Sequence, residues 1–172
     1  MPVRVRDEEG FGIVELLMAI VVVSVALLAL MGSYDAIFAS LHSSARTSTA
    51  SVLANRQLEL YGTLSYSKIG LDATTLQATK TSDTVYAADE AALAGATGTD
   101  VTITGCGSSA QCLPVQTITG NDHHVYRLET FIRDIPSFTG RTERTVTVIV
   151  RDESSAGGPQ IVTVTTAFDR GP

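Results

Sequence analysis

The spacing of apolar residues changes character along this chain, and each change predicts a different element. From Leu16 to Met31 the sequence reads LLMAIVVVSVALLALM, with Ser24 as its only polar side chain. With Phe11 to Val14 added, the block reaches about 20 residues, enough as a helix to cross a ~30 Å hydrocarbon layer. Beyond Gly32 the apolar residues thin out to Ile37, Leu41, Ala45, Val52, Leu53, Leu60 and Leu64, a near-helical spacing in a stretch without proline. The expected element is one helix from Phe11 to about Leu64, roughly 80 Å long. Its second half lays an apolar face on a folded domain and turns Arg46, Arg56, Gln57 and Glu59 outward.

From Gly70 to Gly107 the pattern weakens to Thr, Asp, Ala and Gly, which predicts loop with a short strand at Val101 to Gly105. Period-two alternation then appears at Val125 to Ile132, Arg144 to Val150 and Ile161 to Phe168. The connections, Pro136 to Gly140 and Asp152 to Pro159, are short enough for antiparallel neighbours. A three- or four-stranded meander is expected, with Tyr126, Leu128, Ile132, Val146, Val148, Val150, Val162, Val164 and Phe168 on the face that the amphipathic helix covers. The fold class is therefore α+β, a long N-terminal helix packed on a C-terminal antiparallel sheet.

Charge narrows the partners and sets an orientation. A formal net charge of -6, with Lys68 and Lys80 the only lysines and no basic cluster, argues against direct nucleic-acid binding. Arg4 and Arg6 precede the apolar block and no Lys or Arg follows until Arg46, which places the N-terminus in the cytoplasm and the domain outside. A cleavable secretory signal fits less well, because the small-residue sites Ser24-Val25-Ala26 and Ser43-Ser44-Ala45 lie inside the block or well past it. Outside the cytoplasm, Cys106 and Cys112, with five residues between them, are expected to close a small disulfide loop. His123-His124 after Gly120-Asn121-Asp122 reads as a turn entering a strand rather than a metal site, and no nucleophile elbow or phosphate loop is present. Neither catalysis nor a cofactor is expected.

One residue conflicts with a plain anchor: Glu15 lies inside the apolar edge of EEGFGIVELLMAI. A carboxylate in a membrane helix costs on the order of 2.5–3.5 kcal/mol, so it calls for a partner. Gly10-Phe11 followed by Glu15 and an apolar run resembles the class III signal of type IV prepilins and type II secretion pseudopilins. The segment Ala50 to Leu60, ASVLANRQLEL, is similar to the helix of minor pilins of the type IV pilus modification protein group. The resemblance implies a leader at 1–10, a transmembrane helix at 11–31, its amphipathic continuation at 32–64 and a β-rich extracytoplasmic head at 65–172. It also implies that a prepilin peptidase cuts between Gly10 and Phe11 and N-methylates the Phe11 amine, and that Glu15 meets the Phe11 amine of a neighbouring subunit during assembly. The implied partners are other pilin or pseudopilin subunits, the membrane and, indirectly, an assembly platform protein and an ATPase. The leader departs from many members in carrying three acids against two arginines, and Gly32 stands where many major pilins have proline.

Overall fold

Nothing between residues 13 and 62 stops a helix. The stretch contains no proline, is rich in Ala and Leu, and meets only one interior glycine, Gly32, before its end. The computed structural model, which describes residues 12–93, 98–106, 109–136, 142–153 and 157–169, has a single 50-residue helix there, α1 (Ile13–Gly62). It ends at Gly62, where the Thr63 hydroxyl donates to Leu60 O at 2.8 Å and Leu64 N to Tyr61 O at 3.1 Å, closing carbonyls the helix leaves open. An antiparallel sheet follows, so the chain is α+β. It divides into two units, Met1–Ser43 and Ser44–Pro172.

In the first unit every described residue of α1 is exposed, whatever its direction around the helix. In the second, β5 (Val125–Pro136), β6 (Thr142–Asp152) and β7 (Gln160–Phe168) form an antiparallel meander. On the other edge of β5, β4 (Val115–Thr119) pairs with residues 125–129 and β2 (Thr99–Asp100) with Arg133 and Asp134. A separate parallel pair joins β1 (Leu71–Asp72) to β3 (Thr102–Ile103).

The register places Leu128 opposite Val150, Ile132 opposite Val146, Val150 opposite Val162 and Val148 opposite Val164. Facing residues share a side of the sheet, so the apolar set expected from alternation does lie on one face. That face receives the end of α1. Ala50, Leu53, Ala54, Leu58 and Tyr61 are buried in one core with Tyr126, Leu128, Ile132, Val146, Val148 and Val150. Each fully buried Leu or Ile contributes about 1.5–3 kcal/mol relative to exposure, which fixes this part of the helix on the sheet.

The interval Gly70 to Gly107 departs from expectation. It holds two helices, α2 (Ala73–Ser82) and α3 (Thr84–Leu93), where the composition predicts loop. Each starts at an aspartate cap: Asp72 Oδ2 accepts from Thr75 N at 3.0 Å, and Asp83 Oδ1 from Val85 N and Tyr86 N at 3.0 Å. Each has one fully committed apolar residue, Leu76 and Tyr86. Tyr86 stacks on Phe131 with ring centres 4.5 Å apart and donates to Thr130 O at 3.0 Å. Phe131 alternates with Leu128 and Ile132 along β5, so α3 covers the face of the sheet opposite α1. The head is covered on both sides, not on one.

The turn between β4 and β5 is packed tightly against α1. Gly120 N donates to His124 O at 2.8 Å, and His123 adopts φ 62° in this turn. A Cβ added at Gly120 would lie 2.6 Å from Asp122 Oδ1, 2.7 Å from Tyr126 Cε2 and 2.8 Å from Thr49 Cγ2. Gly120→Ala is therefore expected to destabilise the head by about 1–3 kcal/mol, read as a lower midpoint in urea unfolding, whereas Gly62→Ala, with open space around its Cβ, should not reproduce that loss.

Candidate functional site

The first unit concentrates the features that call for a function. Backbone hydrogen bonds begin at Gly12, whose carbonyl accepts from Glu15 N at 2.9 Å and Leu16 N at 3.2 Å. Glu15 is the acidic residue of the first turn, where the positive end of the helix dipole favours a negative charge. From there to Leu41 the large apolar side chains are exposed all round the helix, Leu28 at 69% and Val22 at 67%. A continuous exposed apolar surface of this kind marks a membrane or protein contact. The stretch is long and apolar enough to cross a bilayer, and its window of highest hydropathy is wholly unburied. Two of its hydroxyls are silenced locally: Ser24 Oγ donates to Ile20 O at 2.8 Å and Ser33 Oγ to Ala29 O at 3.0 Å.

Of the residues singled out by the sequence, Gly10 and Phe11 lie outside the described residues. Glu15 stands at the start of α1. Cys106 and Cys112 belong to the second unit, joined as a disulfide with their Cα atoms 6.1 Å apart. No described contact brings the cysteines to Glu15. The disulfide loop has a different role, because it is latched to α1. Tyr61 donates its hydroxyl to Gln111 O at 2.7 Å and Gln57 its amide to Ala110 O at 3.2 Å. Burial pushes the Tyr61 hydroxyl pKa up to about 12, against the weaker opposing pull of the neighbouring Gln57 and Thr130 side chains, which keeps it a donor at any physiological pH.

Sequence reasoning missed the polar contacts that seat the head. Gln57, expected on the outer face of the helix, is instead buried against the disulfide loop, and Arg46, expected there too, reaches Asp152 at 3.3 Å and His124 Nε2 at 3.0 Å. Arg144 grips Asp134 through two bonds of 2.8 and 2.9 Å, donates to Tyr66 O and Ile69 O, and lies over the Tyr66 ring. These arginines link elements far apart in sequence, so no local pattern announces them. Among the described residues no group of His, Cys, Asp or Glu is placed to hold a metal ion. A cavity of about 230 Å³ beside Leu93, Phe131, Ile135 and Thr165 is walled mainly by apolar atoms.

Comparisons with protein-family models, curated proteins and solved structures return no match. The functional reading therefore rests on the helix and its first turn. The full chain is expected to stay with the membrane pellet after alkaline carbonate extraction, while a chain beginning at Ser44 is recovered in the supernatant with its near-ultraviolet circular dichroism intact. Extraction of the full chain by carbonate alone would show that α1 does not cross the bilayer.

Proposed function

We propose that this chain is a structural subunit, a minor pilin or pseudopilin, of a type IV pilus or type II secretion filament. The observation that supports the reading is a first-turn glutamate on a helix whose apolar side chains are exposed all round, continuous with a helical face buried in an α+β head. The Gly10-Phe11 motif ahead of it supplies the processing site.

The chemistry follows from these residues. Gly10 lacks a Cβ, so a protease active site can close around the scissile backbone. Cleavage after Gly10 would leave Phe11 with a cationic amine beside the membrane surface. Glu15, about one helical turn away, then faces a bundle of neighbouring helices with an unmet charge. In hydrocarbon that charge is costly, and pairing with the Phe11 amine of an adjacent subunit offsets the cost only at the correct axial register. The carboxylate thus converts an indifferent greasy contact into one with a defined height. In this reading the protein is a substrate of a processing enzyme and performs no catalysis itself. Its partners are the peptidase, like subunits, the membrane and, indirectly, the platform protein and ATPase that drive extraction.

Intact mass and N-terminal sequencing of the membrane-bound protein test the first step. Loss of Met1 to Gly10 with a methylated Phe11 is expected, and Gly10→Val is expected to retain the leader; an intact leader in the native protein would favour a plain signal anchor. For assembly, Glu15→Val should be processed normally yet be depleted at least tenfold from sheared filaments, the scale of a ~1.4 kcal/mol loss per contact. Equal incorporation of native and Glu15→Val chains would remove the pairing mechanism.

A further inference from the structure

Beneath α3 lies a carboxylate that neither the anchor nor the filament reading uses. Glu129 sits mid-strand in β5, between Val115 of β4 and Ile149 of β6, and its side chain is fully buried. Its Oε1 accepts from Arg127 Nε at 2.6 Å. Its Oε2 has no hydrogen-bond partner. Arg151 Nε lies 3.5 Å from Oε2 and already donates to Asp89 Oδ2 at 3.0 Å.

Two carboxylates, Asp89 and Glu129, therefore face the Nε–H of Arg151; Glu129 is fully buried, while Asp83, Asp89, Arg127 and Arg151 around it are partly exposed. The groups around Glu129 are Asp83, which caps α3, Tyr86 and Asp89 from α3, Arg127 from β5 and Arg151 from β6. The β4 residues opposite Glu129 and Arg127, Val115 and Thr117, carry no charge. Tyr86 spends its hydroxyl on Thr130 O, and Asp83 is held by Arg127. Lys80 of α2 is engaged by Glu90 and Asp100 and does not compensate the cluster. With all acids ionised, three negative groups (Asp83, Asp89, Glu129) meet two positive ones (Arg127, Arg151), leaving one charge in excess. A proton on Glu129 Oε2 removes that excess and turns an orphaned acceptor into a donor toward Asp89.

We propose that Glu129 is a proton switch for α3: protonated, it bonds Asp89 and holds the helix on the sheet; ionised, it releases its proton to solvent, repels Asp89 and loosens α3 from that face. Both Arg clamps attach to α3, at Asp83 near its start and Asp89 near its middle, so weakening the cluster acts on the helix as a whole. Desolvation, and next the neighbouring Asp89 carboxyl, push the Glu129 carboxyl up to about 7, against the opposing pull of Arg127. The folded state then holds a proton that the unfolded chain gives up near 4.5. Stability falls as pH rises between those values and is lowest above about 7. The α3 face is closed in mildly acidic surroundings and opens more often in alkaline ones.

Hydrogen exchange of the α3 peptide in the full chain in detergent micelles, corrected for intrinsic exchange, tests this at pH 5.5 and 8.0. The local opening constant is expected to rise at least about tenfold at the higher pH, as one unit of pKa difference requires. Glu129→Gln, which keeps the shape and a donor toward Asp89, should hold the opening constant low and equal at both values. An opening constant that does not change in the native chain, or an equal rise in Glu129→Gln, overturns the proposal. Should Glu129→Gln fold poorly, the carboxyl carbon shift of Glu129 in the labelled native protein decides: a midpoint near 7 supports the switch, and one in the ordinary carboxylate range removes it.

Discussion

An α-helix satisfies its backbone hydrogen bonds within itself, and α1 depends on that property throughout. A strand or loop carrying the side chains of Leu16 to Met31 would leave unpaired amides in any apolar surrounding, at several kcal/mol each. The helix leaves none, and Ser24 and Ser33 return their hydroxyls to carbonyls one turn back. The same self-sufficiency lets the element continue beyond Gly32 with a different side-chain pattern and no change of backbone. Where the pattern narrows to one face, small residues make the contact close: Ala50 and Ala54 are fully buried and let the helix backbone approach the sheet, while Leu53, Leu58 and Tyr61 fill the space between.

The sheet responds to being covered on both sides. A strand buried on one face alternates; one buried on both reads as a nearly continuous apolar run. The middle of β6, TVTVIV, shows the second behaviour: Val146, Thr147, Val148, Ile149 and Val150 are all buried. The buried arginines enter this core with partners. Arg144 reaches a carboxylate and two carbonyls on the α1 face, and Arg127 and Arg151 reach the aspartates of α3 on the other. Glu129 is the buried carboxylate whose second oxygen is left without a hydrogen-bond partner, as are the Thr130 hydroxyl and two nitrogens of Arg133 among the described residues. Removing either arginine would strand a buried carboxylate, which is why such clusters resist substitution even where their net contribution to stability is small.

What was legible in the sequence follows from how locally each signal is written. The helix α1 and strands β5 to β7 announce themselves by periodicity over many residues, and the register needed no more than alternation to put Leu128, Val148 and Val164 on one face. Helices α2 and α3 were missed because each rests on one buried apolar residue, and Thr, Ala and Ser around Leu76 and Tyr86 carry little moment. Their caps were readable: Asp72 and Asp83 stand immediately before Ala73 and Thr84, in the position a helix start favours. The charges of Arg127, Glu129 and Arg151 received no reading from the sequence because α3, read as loop, offered nothing to cover them. At the candidate site the position of Glu15 within an apolar run was plain, whereas Arg46 meets His124 and Arg144 meets the Ile69 carbonyl across 75 or more positions, contacts invisible to any local pattern.

A shared helix also determines where load goes in the proposed filament. If the head were tied to its anchor by a flexible linker, tension on the anchor would extend the linker and leave the core untouched. Here α1 is one unbroken helix whose end is a core element, so in the proposed filament tension along it would bear on Ala50, Leu53, Ala54, Leu58 and Tyr61. Sliding by one turn would expose the buried leucines and break the bonds of Gln57 and Tyr61 to the disulfide loop at once. That loop is short, and Cys112 is fully buried, so the latch carries little slack. The disulfide loop thus meets the buried end of α1 through two carbonyls, Ala110 O and Gln111 O, in addition to the apolar contacts of the helix with the sheet.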